Sequence, residues 1–125
     1  SEIKINYAGL MSVTNGVMGK DQTKEHVANG IRLHNFKSSY QIRVEARTLS
    51  SIIDEFGSPS IDFLSLDVEG AENFVLNGID FERHRPKYIL VEERKHNETM
   101  SLIESFQYIF LDQLTNHDYL YKDTN

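Results

Sequence analysis

The sequence has 125 residues, of which 39% are hydrophobic and 26% charged, with no cysteine and a net charge of −6. This length suits one domain or part of one, and it suffices for a hydrophobic core. The lack of cysteine excludes disulfides, cysteine-ligated zinc and a cysteine nucleophile. No apolar run approaches the ~20 residues of a membrane span, and the first residues lack the pattern of a signal peptide, so we expect a cytoplasmic protein.

The negative charge is concentrated in the second half of the chain. Residues 1–60 contain seven Lys and Arg against six Asp and Glu, whereas residues 61–125 contain six against thirteen. Nucleic-acid-binding proteins usually present a basic face, because neutralising phosphates provides most of their affinity. The charge distribution therefore argues against nucleic acids and anionic membranes as partners.

Regular patterns are sparse before residue 42. Residues 3–7 alternate apolar and polar side chains as in a strand, but residues 8–40 contain four of the seven glycines and no sustained periodicity. We predict that residues 1–41 form an irregular N-terminal segment or insertion, with at most a short strand or helical turn besides the first strand. Residues 42–125 would then form the main domain.

From residue 42 onward, strand and helix patterns alternate. The predicted strands are 42–47, 61–66, 88–91, 108–111 and 119–121. The predicted helices begin after Thr48 as an N-cap, near Gly70 with Gly78 as the C-terminal cap, and after Asn97. This alternation predicts an α/β domain with a parallel sheet and right-handed crossovers. The last two strands are too close in sequence for a helical crossover, so they should pair antiparallel.

Apolar spacing indicates which faces of these elements are buried. The residues expected to face the core are Leu49, Ile52, Ile53 and Phe56 in the first helix, Ala71, Phe74 and Val75 in the second, and Met100, Ile103 and Phe106 in the third. The continuous apolar run of residues 88–91 is typical of a strand covered on both faces.

Two carboxylates come at the ends of apolar strands, Asp67 after residues 61–66 and Glu92 after residues 88–91. In open α/β sheets, ligands bind outside the carboxyl ends of the strands. If these strands are neighbours, ~4.8 Å apart, both side chains could face one cleft, and their repulsion would raise one pKa to give a candidate general base. Asp67 equally fits an N-cap of the following helix, and Glu69 and Glu72 fit its first turn.

One run of residues is specific enough to point to a family. The run IDFLSLDVEGAE at 61–72, followed by VLNG at 75–78, resembles the signature of the FkbM methyltransferases, in which a hydrophobic strand ends in Asp-x-Glu-Gly-Ala-Glu. PKYILVE at 86–92 resembles the next strand of that family, which also ends in Glu, and NHDYLY at 116–121 resembles its last strand. TLSSII at 48–53 resembles a helix start that is Thr-Leu-Asp in the family, with Ser50 in place of Asp. The resemblance covers about residues 42–121.

The resemblance implies a Rossmann-like class I methyltransferase sheet, mostly parallel with an antiparallel C-terminal hairpin. It implies S-adenosylmethionine as methyl donor and O-methylation of a small molecule or glycan. The candidate catalytic residues are Asp67, Glu69 and Glu92, and Asp67 would orient or deprotonate the acceptor hydroxyl.

The sequence departs from the family in one large respect. Such enzymes hold the cofactor with a glycine-rich loop after the first strand and an acidic residue after the second. No Gly-x-Gly follows an apolar strand here, and residues 15–19, NGVMG, have the wrong spacing. We therefore expect a fragment that lacks the first strands of the domain and is inactive alone, with no residue assigned to the cofactor. The exposed edge of the 61–66 strand would then favour self-association.

Two other functions use the same residues. In a Mg²⁺-dependent enzyme, Asp67, Glu69 and Glu92 would bind the ion to act on phosphates, although no phosphate-gripping loop or basic cluster accompanies them. A non-catalytic α/β module that binds a partner would also explain the missing glycine-rich loop. The five histidines show no metal-ligand spacing, so no metal site is predicted from them, and His84 is predicted to be a surface residue leading into a strand.

Overall fold

The computed structural model describes residues 2–7, 13–14, 20–33, 40–93 and 96–125. The described chain divides into two compact units, Ser1–Ala46 and Arg47–Asn125. The elements in chain order are β1 (Glu2–Tyr7), β2 (Val13–Thr14), α1 (Lys20–Leu33), β3 (Tyr40–Glu45), α2 (Leu49–Glu55), β4 (Phe63–Leu66), α3 (Glu72–Asn77), β5 (Tyr88–Glu92), α4 (His96–Ser105), β6 (Tyr108–Gln113) and β7 (Asp118–Asp123).

The first unit contains a three-stranded antiparallel sheet in the order β2-β1-β3. The strand predicted at residues 3–7 is confirmed as β1, and it lies in the middle of this sheet. The strand predicted at 42–47 is β3, which begins two residues earlier and pairs with β1 along its whole length. β3 therefore belongs to the sheet of the first unit. The prediction that this strand belongs to the sheet of the main domain is wrong.

Helix α1 corrects the prediction that this segment is irregular. It has 14 residues, far more than the single helical turn that the sequence pattern allowed. Its apolar stripe is thin, since buried Val27 and half-buried Ile31 stand one turn apart between mostly polar residues. Gly30 lies inside the helix, where glycine costs ~1 kcal/mol relative to alanine. So weak a periodicity does not distinguish a helix from a loop.

The sheet of the second unit has the order β4-β5-β7-β6. β4 and β5 are parallel, whereas β7 is antiparallel to both β5 and β6. The predicted C-terminal hairpin is confirmed, but the prediction of a mostly parallel sheet is wrong for the described residues, because β7 inserts between β5 and β6. β4 occupies one edge of this sheet, and β6 occupies the other.

The core of the second unit lies on one face of this sheet. All three helices contribute to one hydrophobic cluster, with Leu49 from α2, Leu76 from α3 and Ile103 from α4. The buried members of the cluster are Leu66, Leu76, Ile79, Phe81, Ile89, Val91, Ile103, Tyr108 and Tyr121. The three helices therefore cover the same side of the sheet.

The opposite side of the sheet carries side chains that are exposed among the described residues. In β5, Ile89 and Val91 are fully buried, but Tyr88, the first residue of the strand, is 36% exposed. Strand alternation and cross-strand register place six residues together on this side, which we call the open face: Phe63, Ser65, Tyr88, Leu90, Leu120 and Lys122. The prediction that residues 88–91 are covered on both faces is therefore wrong for the described chain.

The predicted cap residues of the helices agree with the structure better than the predicted buried faces do. The Thr48 hydroxyl accepts a hydrogen bond from the Ser51 N–H at the start of α2, and Gly78 follows α3, as predicted. α4 begins at His96, one residue before the predicted cap, and its Met100 and Ile103 contribute to the core as expected.

Some of the predicted core positions are wrong. Of the four positions predicted to face the core at α2, Ile53 is buried and Leu49 is half-buried, whereas Ile52 and Phe56 are exposed. In α3, Phe74 was predicted to be buried but is 71% exposed. Leu76, which was not predicted to be buried, is fully buried. A helix of six residues against a single core presents one narrow stripe, so a shift of two residues exchanges its buried and exposed sides.

His84 is a buried residue and not the surface residue that the sequence predicted. The residue is 3% exposed, and its Nδ1 lies 2.8 Å from the Ser50 hydroxyl oxygen. That oxygen also accepts a hydrogen bond from the Asp80 N–H at 2.7 Å, while His84 Nε2 lies 3.1 Å from Asp54. Ser50, which stands at the family's Asp position, thus joins the start of α2 to the segment that leads into β5.

Candidate functional site

Three carboxylates lie side by side at one end of the second sheet. Leu66 is in register with Val91 across the parallel β4–β5 pair, so Asp67 follows alongside Glu92. Across the antiparallel β5–β7 pair, Glu92 is in register with Asp118. The prediction that Asp67 and Glu92 end adjacent parallel strands is confirmed. We call Asp67, Glu92 and Asp118 the carboxylate row.

The carboxylate row lies on the same side of the sheet as the open face. Side chains alternate along a strand, and Val91 points into the core, so Glu92 points to the other side. The next residue, Glu93, returns to the core side, where it is buried and accepts a hydrogen bond from the Tyr121 hydroxyl at 3.1 Å. Of these two consecutive glutamates, only Glu92 belongs to the site.

Glu92 has the perturbed ionisation that a candidate acid or base needs. Burial raises the pKa of its carboxyl, and the nearby negative charges of Asp67, Asp118 and Glu69 raise it further. A hydrogen bond with Asp67 acts in the same direction. These surroundings favour the protonated form of Glu92.

The connection from β4 to α3 is a tight turn. Glu69 and Gly70 both have positive φ, 52° and 93°, and the Ala71 N–H donates to the Val68 carbonyl at 3.2 Å. Positive φ at both central residues is the pattern of a type I′ turn, which glycine tolerates without strain and glutamate does not. Glu69 is half-buried here, and its negative charge is close enough to raise the pKa of Glu92.

The start of α3 separates the roles of the acidic residues in the motif. The N-cap of α3 is Ala71, so the interpretation of Asp67 as an N-cap is wrong. Glu72 is buried, and its Oε1 accepts a hydrogen bond from the Gly70 N–H at 3.0 Å. Glu72 therefore stabilises the turn, whereas Asp67 remains exposed at the end of the strand.

Asp118 was missed by the sequence analysis. The Thr115 hydroxyl donates to its carboxylate at 2.5 Å, and its own N–H donates to the Thr115 oxygen at 3.1 Å. The sequence around Asp118 resembles that of any polar turn, and the sequence alone does not show which strand lies beside β5. The available signal was the hairpin itself, because the first residue of a strand antiparallel to β5 lies at the carboxyl end of β5.

Comparison with known proteins gives one match. The family model of the methyltransferase FkbM domain matches residues 4–121. The chain belongs to the FkbM methyltransferase family. No curated protein and no solved structure matches the chain. The match begins at residue 4 and not near residue 42, so most of residues 1–41, which the sequence predicted to be an irregular N-terminal segment or insertion, lies within the matched FkbM domain.

The described part of this FkbM domain offers no metal centre. Among the described residues, no group of three or more His, Cys, Asp or Glu side chains is arranged to hold a metal ion. The Mg²⁺-dependent alternative, which needs Asp67, Glu69 and Glu92 around one ion, therefore gains no support. In the same residues, no helix is long and apolar enough to cross a membrane.

The described glycines of the FkbM domain do not form a cradle for S-adenosylmethionine. The Gly70 N–H is already bonded to Glu72, and Gly57 ends α2 with nothing within 4 Å of an added Cβ. At Gly78 an added Cβ would meet the Val75 carbonyl at 3.2 Å, as in a helix end. Residues 15–19, the NGVMG sequence, lie outside the described residues. No described residue is therefore assigned to the cofactor.

We expect Glu92→Gln to stabilise the second unit at neutral pH. A raised pKa means that folded Glu92 holds its proton more tightly than unfolded Glu92, so folding stability falls as pH rises above the ordinary glutamate pKa of 4.5. Because glutamine does not ionise, the variant does not undergo this loss of folding stability. Urea unfolding should show the variant as more stable than the wild type at pH 7 and equal to it at pH ~3.

The control for this measurement is Glu104→Gln on the exposed side of α4. It should leave the free energy of unfolding within ~0.5 kcal/mol of the wild type at both pH values. A Glu92→Gln variant that is less stable than the wild type at pH 7 would show that charged Glu92 is held by favourable contacts, contrary to the carboxylate row described here.

Proposed function

We propose that this chain is part of an S-adenosylmethionine-dependent O-methyltransferase with a Rossmann-like class I fold, acting on a hydroxyl group of a small molecule or glycan. The observation that supports it most is the FkbM family match together with the carboxylates at the ends of β4 and β5. A parallel strand pair joined through a helix and followed by an antiparallel hairpin is compatible with that fold. Ligands of open α/β sheets bind at this end of the strands.

In this proposal the carboxylate row handles the proton of the acceptor. When the acceptor oxygen gains a methyl group, its hydroxyl proton must leave, and we propose that the exposed carboxylate of Asp67 receives it. Glu92 lies beside Asp67, and burial together with the charge of Asp67 raises the pKa of the Glu92 carboxyl. Glu69 is the third candidate catalytic residue, and it adds negative charge from the turn. A positioned general base contributes typically 10²–10⁴-fold to a rate.

The proposal does not assign the methyl donor to any described residue. Donor binding in this class needs a glycine-rich loop at a helix N-terminus, and neither the strand ends nor the described glycines supply one. We propose that the donor is held by parts of the domain outside the described residues, and that the described strand ends contribute the acceptor side of the site.

The test is methyl transfer by the product of the complete open reading frame, measured with methyl-labelled S-adenosylmethionine and a panel of phenols, sugars and other hydroxylated acceptors. We expect transfer to at least one class, and a decrease of about 10²–10⁴-fold for Asp67→Asn. The matched control is Asp62→Asn, since Asp62 is an exposed residue before the opposite end of β4 that pairs with Lys87.

The two negative outcomes have different meanings. No transfer by a folded wild-type protein to any acceptor would favour the non-catalytic binding module. Transfer that Asp67→Asn leaves unchanged would keep the methyltransferase activity but remove the proton-accepting role of Asp67.

A further inference from the structure

His84 is a buried titratable residue away from the carboxylate row, and its two ring nitrogens contact different kinds of group. Nδ1 lies 2.8 Å from the hydroxyl oxygen of Ser50, which is itself buried. Nε2 lies 3.1 Å from a carboxylate oxygen of Asp54, which is exposed on α2. One nitrogen therefore faces a neutral group in the interior of the second unit, and the other faces a charged group at its surface.

The Ser50 hydroxyl determines where the protons of these hydrogen bonds lie. Its oxygen accepts the Asp80 N–H at 2.7 Å, and among the described residues the acceptor within reach of its own proton is His84 Nδ1. The hydroxyl therefore donates to Nδ1, which must be unprotonated to accept. An imidazole with a bare Nδ1 is neutral and carries its proton on Nε2, where it donates to Asp54. The hydrogen bonds thus assign one proton to His84.

The charged groups around His84 are Asp54 from α2, and Asp80 and Arg83 from residues 79–85, the segment that contains His84 itself. Arg83 Nη1 lies 2.8 Å from Asp54, and Arg83 Nε lies 2.7 Å from Asp80. One cation thus serves two carboxylates, which leaves one net negative charge. A charged imidazolium is drawn towards the exposed Asp54 carboxylate, because the buried Ser50 hydroxyl offers it neither a counter-charge nor water.

We propose that the Ser50–His84 contact is a proton-sensitive latch, which holds α2 to residues 79–85 while His84 carries one proton and opens when His84 takes up a second. The second proton enters at Nδ1, where it points at the Ser50 oxygen and leaves the Ser50 hydroxyl proton without its acceptor. A buried hydroxyl without an acceptor, beside a buried charged ring, is unfavourable. Movement of the ring towards Asp54 separates it from Ser50 and admits water to the hydroxyl.

Opening of the latch affects the chain that leads into β5. Besides its contact with His84, Ser50 holds this chain by two hydrogen bonds, from its own N–H to the Gly78 carbonyl at 3.2 Å and from the Asp80 N–H to its hydroxyl oxygen. A hydroxyl that turns away from His84 also loses its alignment with the Asp80 N–H, so the Asp80 amide reports on the latch. The latch precedes the start of β5, whereas Glu92 ends this strand, and opening of the latch does not depend on the proposed function.

NMR of the 125-residue chain between pH ~8 and ~5, the range in which histidines titrate, measures the two quantities that test the latch. They are the ¹⁵N chemical shifts of the His84 ring and the hydrogen-exchange protection of the Asp80 amide, corrected for the intrinsic exchange rate. At pH ~8 we expect one ring proton, on Nε2. When the shifts show two protons, the protection of Asp80 should fall about tenfold relative to that of the Phe106 amide, which donates to the Ile103 carbonyl at the end of α4.

Three variants separate the latch from general effects of pH. His84→Gln should remove the pH dependence of Asp80 protection, because glutamine does not titrate in this range. His117→Gln, the same change at an exposed histidine, is the matched control and should leave the behaviour of His84 and Asp80 as in the wild type. Ser50→Ala removes the acceptor of the Asp80 N–H, so its Asp80 amide should be weakly protected throughout the pH series.

The wild-type measurement alone is sufficient to reject the latch. A His84 ring that at pH ~8 holds two protons, or holds its single proton on Nδ1, would overturn the assignment of the hydrogen bonds. Uptake of the second proton with unchanged protection of Asp80 would overturn the opening. Unfolding of the whole chain before His84 takes up the second proton would also overturn it.

Discussion

Calorimetric titration of the 125-residue chain with S-adenosylmethionine is expected to give no binding tighter than ~1 mM, a level that corresponds to only about −4 kcal/mol. The reason is that a charged nucleotide-like cofactor needs several backbone N–H groups converging on it, as at a glycine-rich loop before a helix. The described glycines lie in turns, at helix ends or inside α1, and the carboxylate row offers oxygens but no such donors. The loss relative to a micromolar site is about a thousandfold.

A micromolar dissociation constant would contradict this expectation. It would place a cofactor site within residues 8–12, 15–19 or 34–39, which lie outside the described residues and include the NGVMG sequence. The informative control is the same titration of a variant in which Gly16 and Gly19 are replaced by alanine. Binding that this variant loses would assign the site to that segment.

Leu76→Ala is expected to destabilise the second unit by ~2–5 kcal/mol. Leu76 is fully buried between the sheet and the helices, so alanine removes apolar contacts and leaves a cavity. A domain of this size has a stability of about 5–15 kcal/mol, so this single change removes a large part of it. Urea unfolding followed by circular dichroism measures the effect.

Phe74→Ala is the matched control, because Phe74 lies two residues away on the same helix and is 71% exposed. Its removal should change the free energy of unfolding by no more than ~0.5 kcal/mol. The pair separates the observed packing of α3 from the packing predicted from the sequence. If the two effects were exchanged, with Phe74→Ala strongly destabilising and Leu76→Ala neutral, the predicted face would be the right one.

Local signals in the sequence were sufficient for the strands that carry the site. Apolar runs that end in a carboxylate located Asp67 and Glu92, and a single helix-containing connection between them predicted that their strands are neighbours. These features depend on residues close together in the chain. Cap residues such as Thr48 are local in the same sense, and Thr48 was also predicted correctly.

The other features of the site and the core depend on which strands and helices contact each other. No local sequence pattern encodes these contacts. Asp118 enters the site only because β7 lies beside β5, and His84 is buried only because Ser50 and Asp54 approach it from α2. The uncovered face escaped prediction for the same reason. An apolar run predicts a strand, but the position of the helices decides which of its sides is covered.

The position of β7 has a consequence for how the second unit folds. β7 is the last strand of this sheet in chain order, yet it lies between β5 and β6 and is paired on both sides. The β6–β7 hairpin is local and closes a short loop, whereas pairing β5 with β7 must close a loop of about 25 residues that contains α4. During synthesis, β4 and β5 emerge before β7, the strand that lies between β5 and β6. The complete sheet of this unit therefore forms only after residue 123 has left the ribosome, and in a nascent chain stalled before β7 the strands β5 and β6 lack the strand that joins them.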